Sequence, residues 1–213
     1  MHQKRIAISK LWPIPRKGRT FVVVPSNNKT SGIPLLVAMR DILGHVETRK
    51  ELKKIMLEGK VEVNGNKVKD DKYSLLLFDV LGLPSLHKYY RISLSPSRKI
   101  SFEEASEKDA TNKISKVIGK KILPKGIVQI NMKDGRNLLS KEKVNVGDSV
   151  MLNLKNNKIE KILPIKEKSE VLVVKGKHLG HRGKISKVEG NIVNVIIDDG
   201  KYNLNKDAVM ALS

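Results

Sequence analysis

Cysteine is absent from this chain of 213 residues, which removes any disulfide framework and any thiolate zinc site. Aromatic side chains are scarce: one Trp, four Tyr and three Phe are too few for base stacking to dominate recognition of single-stranded nucleic acid. No apolar run approaches the roughly 18 residues that would cross a bilayer, and no amphipathic stretch carries the bulky aromatic face of an interfacial helix. The basic N-terminus offers only Ile6 to Ile8 as an apolar segment, too short for the core of a secretion signal. No membrane partner is expected, and the cytoplasm is the simplest location. Acidic residues are missing from the first forty positions, which hold Lys4, Arg5, Lys10, Arg16, Lys17, Arg19, Lys29 and Arg40.

What the chain has in excess is positive charge. Its 42 Lys and Arg against 22 Asp and Glu give a formal net charge of +20 and a pI near 10.0, well beyond what solubility selects. A polyanion is the expected partner, and with membranes set aside that means nucleic acid. The acid-free leader cannot neutralise itself, and Pro13, Pro15 and Pro25 keep much of it out of regular helix. Residues 1–33 are therefore expected to form a basic extension that orders on its partner. Trp12, Ile14 and the run Phe21 to Val24 are apolar enough to anchor it.

The most specific stretch runs from Thr48 to Val68. Thr48 is suited to cap a helix, and Glu51, three residues on, completes a capping box. Leu52, Ile55 and Met56 make one apolar stripe, while at about 100° per residue Arg49, Lys50, Lys53 and Lys54 share roughly 140° of arc on another face. Gly59 stops the helix. Val61 and Val63 then alternate into Asn64 and Gly65, the dipeptide suited to a type I′ hairpin turn, before Val68 begins the return. An isolated lysine row is ordinarily a solvated face. Joined to this order of helix, stop, strand, turn and strand, it resembles the RNA-binding module of bacterial small-subunit ribosomal protein four, several pseudouridine synthases and tyrosyl-tRNA synthetases.

Around that stretch, Pro34 is placed as the first residue of a helix carrying Leu35, Leu36, Met39, Ile42 and Leu43 and ending at Gly44. Tyr73 to Pro84 predicts a buried strand, Tyr90, Ile92 and Leu94 alternate after it, and Ser95 to Lys99 marks a boundary. Glu103 to Lys116 is expected to include a short polar helix. Beyond it, Val128 to Met132, Val144 to Leu154 and Ile159 to Ile165 alternate between turns at Asp134, Gly147 and Asn156, the spacing of a small barrel. Lys113, Lys116, Lys120, Lys121 and Lys125 form a basic run, read as a solvated surface as readily as a phosphate contact.

From Val171 to Ile185 a buried-looking strand is followed by Gly176, Gly180 and Gly183, interleaved with Lys175, Lys177, His178, His181, Arg182 and Lys184. Glycine supplies positive φ and lets backbone approach a partner, so this is a tight cationic loop. It resembles the KOW motif, a small SH3-like barrel of ribosomal proteins and transcription elongation factors. A P-loop would need Gly-Lys-Ser/Thr leading into a helix, whereas Gly183, Lys184 and Ile185 lead into a strand. Two imidazoles three apart with no carboxylate or thiolate beside them make a poor metal site.

Taken in order, the pieces resemble the archaeal and eukaryotic, or e-type, family of small-subunit ribosomal protein four. Trp12 to Lys17, Ile33 to Gly44, Thr48 to Val68, Asp134 to Asn137 and Gly176 to Gly183 carry the likeness. The family pattern has a Gly-Leu-Met-Asp-Val type of sequence after Tyr73; here it is LLLFDV, which keeps Asp79 and Val80. The absence of long tails points to an archaeal member. The resemblance implies a multi-domain α+β protein: a basic extension over 1–33, a helix-hairpin RNA-binding module over 34–95, a central β-barrel-like domain over 96–167 and a KOW SH3-like barrel over 168–213. It implies a constituent of the small ribosomal subunit, with ribosomal RNA and neighbouring ribosomal proteins as partners and with no catalysis, cofactor, metal or small-molecule substrate. The expected RNA contacts are Lys4, Arg5, Lys10, Trp12, Arg16, Lys17 and Arg19 in the leader, Arg49, Lys50, Lys53, Lys54, Lys60, Asn64 and Lys67 in the module, and the cations and histidines of the glycine loop.

Two other functions are weighed. A pseudouridine synthase needs a catalytic aspartate on a loop of a large α/β domain, whereas Asp134 lies in a glycine turn and Asp198 and Asp199 at a strand end. A KOW-containing transcription elongation factor leaves Thr48 to Val68 unexplained.

Overall fold

The structure, a computed structural model, describes residues 2–107, 109–140, 142–197 and 200–212. Strands dominate it, as the alternation of β-branched and polar residues requires, and the chain folds into two compact units, residues 1–93 with 98–111 and residues 94–97 with 112–213.

In the first unit the leader is folded. β1 (His2–Lys4) pairs antiparallel with β2 (Phe21–Val23). Between them Trp12 is only 2% exposed, its indole N–H donating to Gly32 O at 3.2 Å, and the Leu11 carbonyl accepts from Ile100 N at 2.8 Å. The anchoring expected of Trp12 is thus internal to the protein. β3 (Ile33–Pro34) pairs with β6 (Ser74–Leu75). Pro34 is extended and lies in that strand, so the helix expected from it begins one residue later: α1 (Leu35–Val37) runs into a π-helical turn over Ala38–Ile42, and Gly44, at φ +68°, ends it. After α2 (Arg49–Leu57) come β4 (Glu62–Val63), β5 (Asn66–Lys67), β7 (Val80–Leu83), β8 (Lys88–Leu94) and β9 (Ile100–Ala105), in the sheet order β5-β4-β7-β8-β9. The single strand expected over Tyr73 to Pro84 is broken by a turn at buried Phe78, φ +63°, which the Asp79 carboxylate closes by accepting from Leu76 N at 2.7 Å. Leu35, Leu36, Met39, Leu52, Leu75, Leu81 and Ile92 are fully buried.

Among the described residues, the polar helix expected within Glu103 to Lys116 does not form. β9 continues to Ala105, one 3-10 turn spans Asp109–Thr111, and the eleven-residue β10 (Asn112–Ile122) follows. β10 is the central strand of the second unit's first sheet, with β11 (Val128–Met132), β12 (Asn137–Ser140), β13 (Ser149–Asn153) and β14 (Lys158–Leu163) in the order β12-β11-β10-β13-β14. Its first half pairs with β13 and its second half with β11. Val117, Ile130, Met132, Val144, Val150 and Leu152 make the core. The strand expected from Val144 starts only at Ser149, leaving Val146 45% exposed in the preceding loop.

A second sheet of this unit runs β18-β17-β16-β15-β19, from β15 (Glu170–Val173), β16 (Arg182–Glu189), β17 (Ile192–Ile197), β18 (Gly200–Asn205) and β19 (Val209–Ala211). Val171, Val173, Ile185, Val193, Val195 and Val209 fill its interior. A buried hydroxyl joins the two sheets, Ser149 Oγ accepting from Ala211 N at 3.0 Å, and Asp148 Oδ1 accepts from Ile165 N at 3.1 Å in the segment that leads from one to the other. Asp198 and Asp199 lie outside the described residues.

Candidate nucleic-acid interface

The capping box at Thr48 is formed in full. Thr48 Oγ1 accepts from Glu51 N at 3.3 Å, while the Glu51 carboxylate accepts from the backbone N–H of Thr48 at 3.4 Å and of Glu47 at 2.9 Å. These bonds hold the Glu51 carboxyl below its usual range, the one from Glu47 contributing most. Thr48→Ala should cost about 1 kcal/mol of stability, the usual worth of an N-cap, read as a lower urea midpoint with unchanged slope. Leu52 and Met56 face the core, and Lys50, Lys53 and Lys54 stand exposed.

Arg49 differs from its three lysine neighbours. Its guanidinium grips buried Asp71 through Nε at 2.6 Å and Nη2 at 3.1 Å, and that hydrogen bond raises its already high pKa. Charge and fork geometry are consumed by a fold contact, so the expected four-cation row presents three free ammonium groups.

Asn64 corrects a second expectation. With Gly65 it makes the positive-φ pair of the hairpin, at +53° and +76°. Its side chain, however, is 3% exposed, donating through Nδ2 to Asp79 Oδ1 at 2.8 Å and accepting from Val80 N at 3.0 Å. An amide satisfied at both ends and buried cannot read RNA, and its work is to lock the hairpin to β7. At the hairpin's open end Lys60 pairs with Glu58 at 2.7 Å, an exposed contact of little worth. Lys67 is exposed, its stem lying over Gly59.

In the leader, Lys4, Lys10, Arg16, Lys17 and Arg19 are exposed. Arg5 and Trp12 are structural instead. The Arg5 guanidinium donates to the carbonyls of Arg19 at 2.8 Å and Pro15 at 2.6 Å, stapling the hairpin shut. Trp12 is buried, and Lys99, which the sequence did not flag, donates to its carbonyl at 3.3 Å. Arg5, Lys10, Trp12, Arg16 and Lys99 line one small cavity.

In the glycine loop Lys175, Lys177, Arg182 and Lys184 are exposed, while His178 and His181 are half-buried. The His178 ring packs on Tyr202 with centroids 4.0 Å apart, and His181 meets His178 edge-on at 6.3 Å. Gly180, at φ +87°, abuts the Ser95 carbonyl of the same unit, and a Cβ would collide with it. The close approach that this glycine permits is therefore to the protein's own backbone.

Two lysines of the basic run, expected either on a solvated surface or at a phosphate, are interior. Lys113, 2% exposed, is paired with Asp134 at 2.6 Å. Lys116, 4% exposed, donates through Nζ to the carbonyls of Lys206 at 2.5 Å and Val209 at 2.7 Å. Among the described residues no group of three or more His, Asp or Glu side chains could hold a metal ion, and no helix is long and apolar enough to cross a membrane.

These features define a basic, strand-rich protein with an S4 domain, whose family model matches residues 35–81. A second model, Ribosomal family S4e, matches residues 86–159. The small ribosomal subunit protein eS4 of Nanoarchaeum equitans is 32% identical over 88% of this chain and 82% of its own length, and that of Methanocella arvoryzae is 34% identical over 88% and 81%. The crystal structure of the 30S ribosomal protein S4e from Thermoplasma acidophilum superposes with a TM-score of 0.73 at 26% identity, covering 86% of this chain and 96% of that one. The chain belongs to the eS4 family of small ribosomal subunit proteins.

Proposed function

We infer that this chain is a structural constituent of the small ribosomal subunit in the cytoplasm, binding ribosomal RNA and lying beside other ribosomal proteins, and that it is not an enzyme. The observation that carries the RNA-binding mechanism is the capped helix α2, which buries Leu52 and Met56 and offers Lys50, Lys53 and Lys54 to solvent. Flexible ammonium groups on a fixed helix neutralise phosphates and position the protein without reading bases. Membership of the eS4 family and the S4 domain support this reading.

The same reading extends to the finer architecture. The leader, the helix-hairpin module of 34–95, a central β domain over 96–167 and a KOW-type SH3-like barrel over 168–213 each display cations, and Lys175, Lys177, Arg182 and Lys184 supply those of the barrel. The S4 domain and the eS4 relatives favour this function over a transcription elongation factor or an RNA-modifying enzyme. Binding to deproteinised small-subunit RNA should weaken with salt at a log-log slope of about −0.7 to −0.9 per phosphate neutralised. A filter-binding series from low to moderate salt measures it, and a flat response is incompatible with the mechanism.

A further inference from the structure

Where the two sheets of the second unit meet, Lys133, Lys175 and Lys206 gather around buried Lys116. Lys116 on β10 reaches across to the carbonyls of Lys206 and Val209. Lys133 is tied to the same strand by its own N–H, which donates to Lys116 O at 2.8 Å, and Lys175 follows the residue whose N–H donates to Ala208 O at 2.7 Å. Lys206 lies over Gly147, where a Cβ would press within 2.6 Å of its Cε, so the missing side chain makes room for its stem. Among the described residues Lys133, Lys175 and Lys206 form no ion pair, and Asp207 is the one carboxylate acting on Lys116 and Lys133.

Exposed lysines repel one another little through water, but here one member is sealed between sheets. Burial first, then Lys133, Lys206 and Lys175, lower the Lys116 pKa from its ordinary value to about 8, with Asp207 opposing. Burial and Lys175 likewise lower Lys133. Such a knot of like charge is costly until an anion enters it.

We propose that Lys133, Lys175 and Lys206, backed by buried Lys116, form a binding site for backbone phosphate of the RNA, one that bridges the two sheets of the second unit. The proposal rests on the RNA-binding reading above and adds a site that the α2 lysines do not supply. Lys133 and Lys175 reach the anion; Lys116 is a positioning residue, fixing the 3-10 turn at Lys206 against β10. An incoming phosphate raises the Lys116 pKa, so binding near pH 8 draws in a proton.

The test uses the full chain and deproteinised small-subunit RNA. The K133Q/K175Q variant should lower the magnitude of the salt slope by about two, one for each lysine, and weaken binding about tenfold near 0.1 M salt, while K175Q alone, a milder change to the fold, should remove about one. Proton uptake by the wild type, measured calorimetrically in buffers of different ionisation enthalpy, should fall in the double variant. Wild-type slope and proton uptake in both variants would overturn the proposal and leave the function standing; absence of RNA binding by the wild type would overturn both. Inorganic phosphate serves as the other arm: a double variant that loses only stabilisation by phosphate, with its RNA slope intact, assigns the site to the free ion and overturns the proposal.

Discussion

Replacing Lys50, Lys53 and Lys54 together with Glu is expected to weaken binding to small-subunit RNA by about a thousandfold, roughly tenfold or ~1.4 kcal/mol for each reversed charge, and to lower the salt slope by about three. All three side chains are exposed on a helix whose register is set by its capping box and by buried Leu52 and Met56, so the fold should survive. Arg49 is left out deliberately. Its bidentate contact to buried Asp71 belongs to the fold, and reversing it would set two carboxylates against each other. Filter binding across salt, with circular dichroism as the control for folding, reads the result. Wild-type affinity in a folded triple variant would remove α2 from the interface.

Asp134→Ala should be among the most damaging single changes outside the hydrophobic cores, costing about 3 to 5 kcal/mol because it removes the carboxylate of a buried ion pair. Lys113 and Asp134 side chains are 2% and 7% exposed and 2.6 Å apart, and Asp134 also accepts from Arg136 N at 3.1 Å. Burial alone would raise the Asp134 carboxyl; the charge and hydrogen bond of Lys113 more than reverse this and hold it below the usual carboxylate range. A folded-state pKa below the unfolded one contributes stability that is complete above the ordinary Asp value near 4 and drains away as the pH falls through the folded value. Urea denaturation from pH 7 down to pH 3 should show this loss in the wild type and a flatter profile in the variant.

What could be read from the chain in advance was what short-range chemistry decides. The Thr48 and Glu51 box and the Asn64-Gly65 turn need only their neighbours in sequence, and both are formed. The role of Asn64 was hidden because its partner Asp79 is supplied by a strand further along the chain. Lys113 and Lys116 look like surface because lysine is rarely buried without a partner, and nothing local announces Asp134 or the carbonyls of Lys206 and Val209. Arg5 and Arg49 show the same limit: a guanidinium spent on the protein's own oxygen atoms is indistinguishable, in sequence, from one kept for a phosphate. The leader was expected to order on its partner because its charge and prolines argue against self-sufficiency. Its β1–β2 hairpin and the indole bond of Trp12 depend on pairings across a long loop.

The seating of Trp12 on Gly32 bears on how this molecule meets its target. A leader already tied down surrenders little chain freedom on landing, so its cations arrive as a prepared template. Association then follows the kinetics of two shaped bodies colliding, governed by long-range steering, and carries only a small heat-capacity signature of coupled folding.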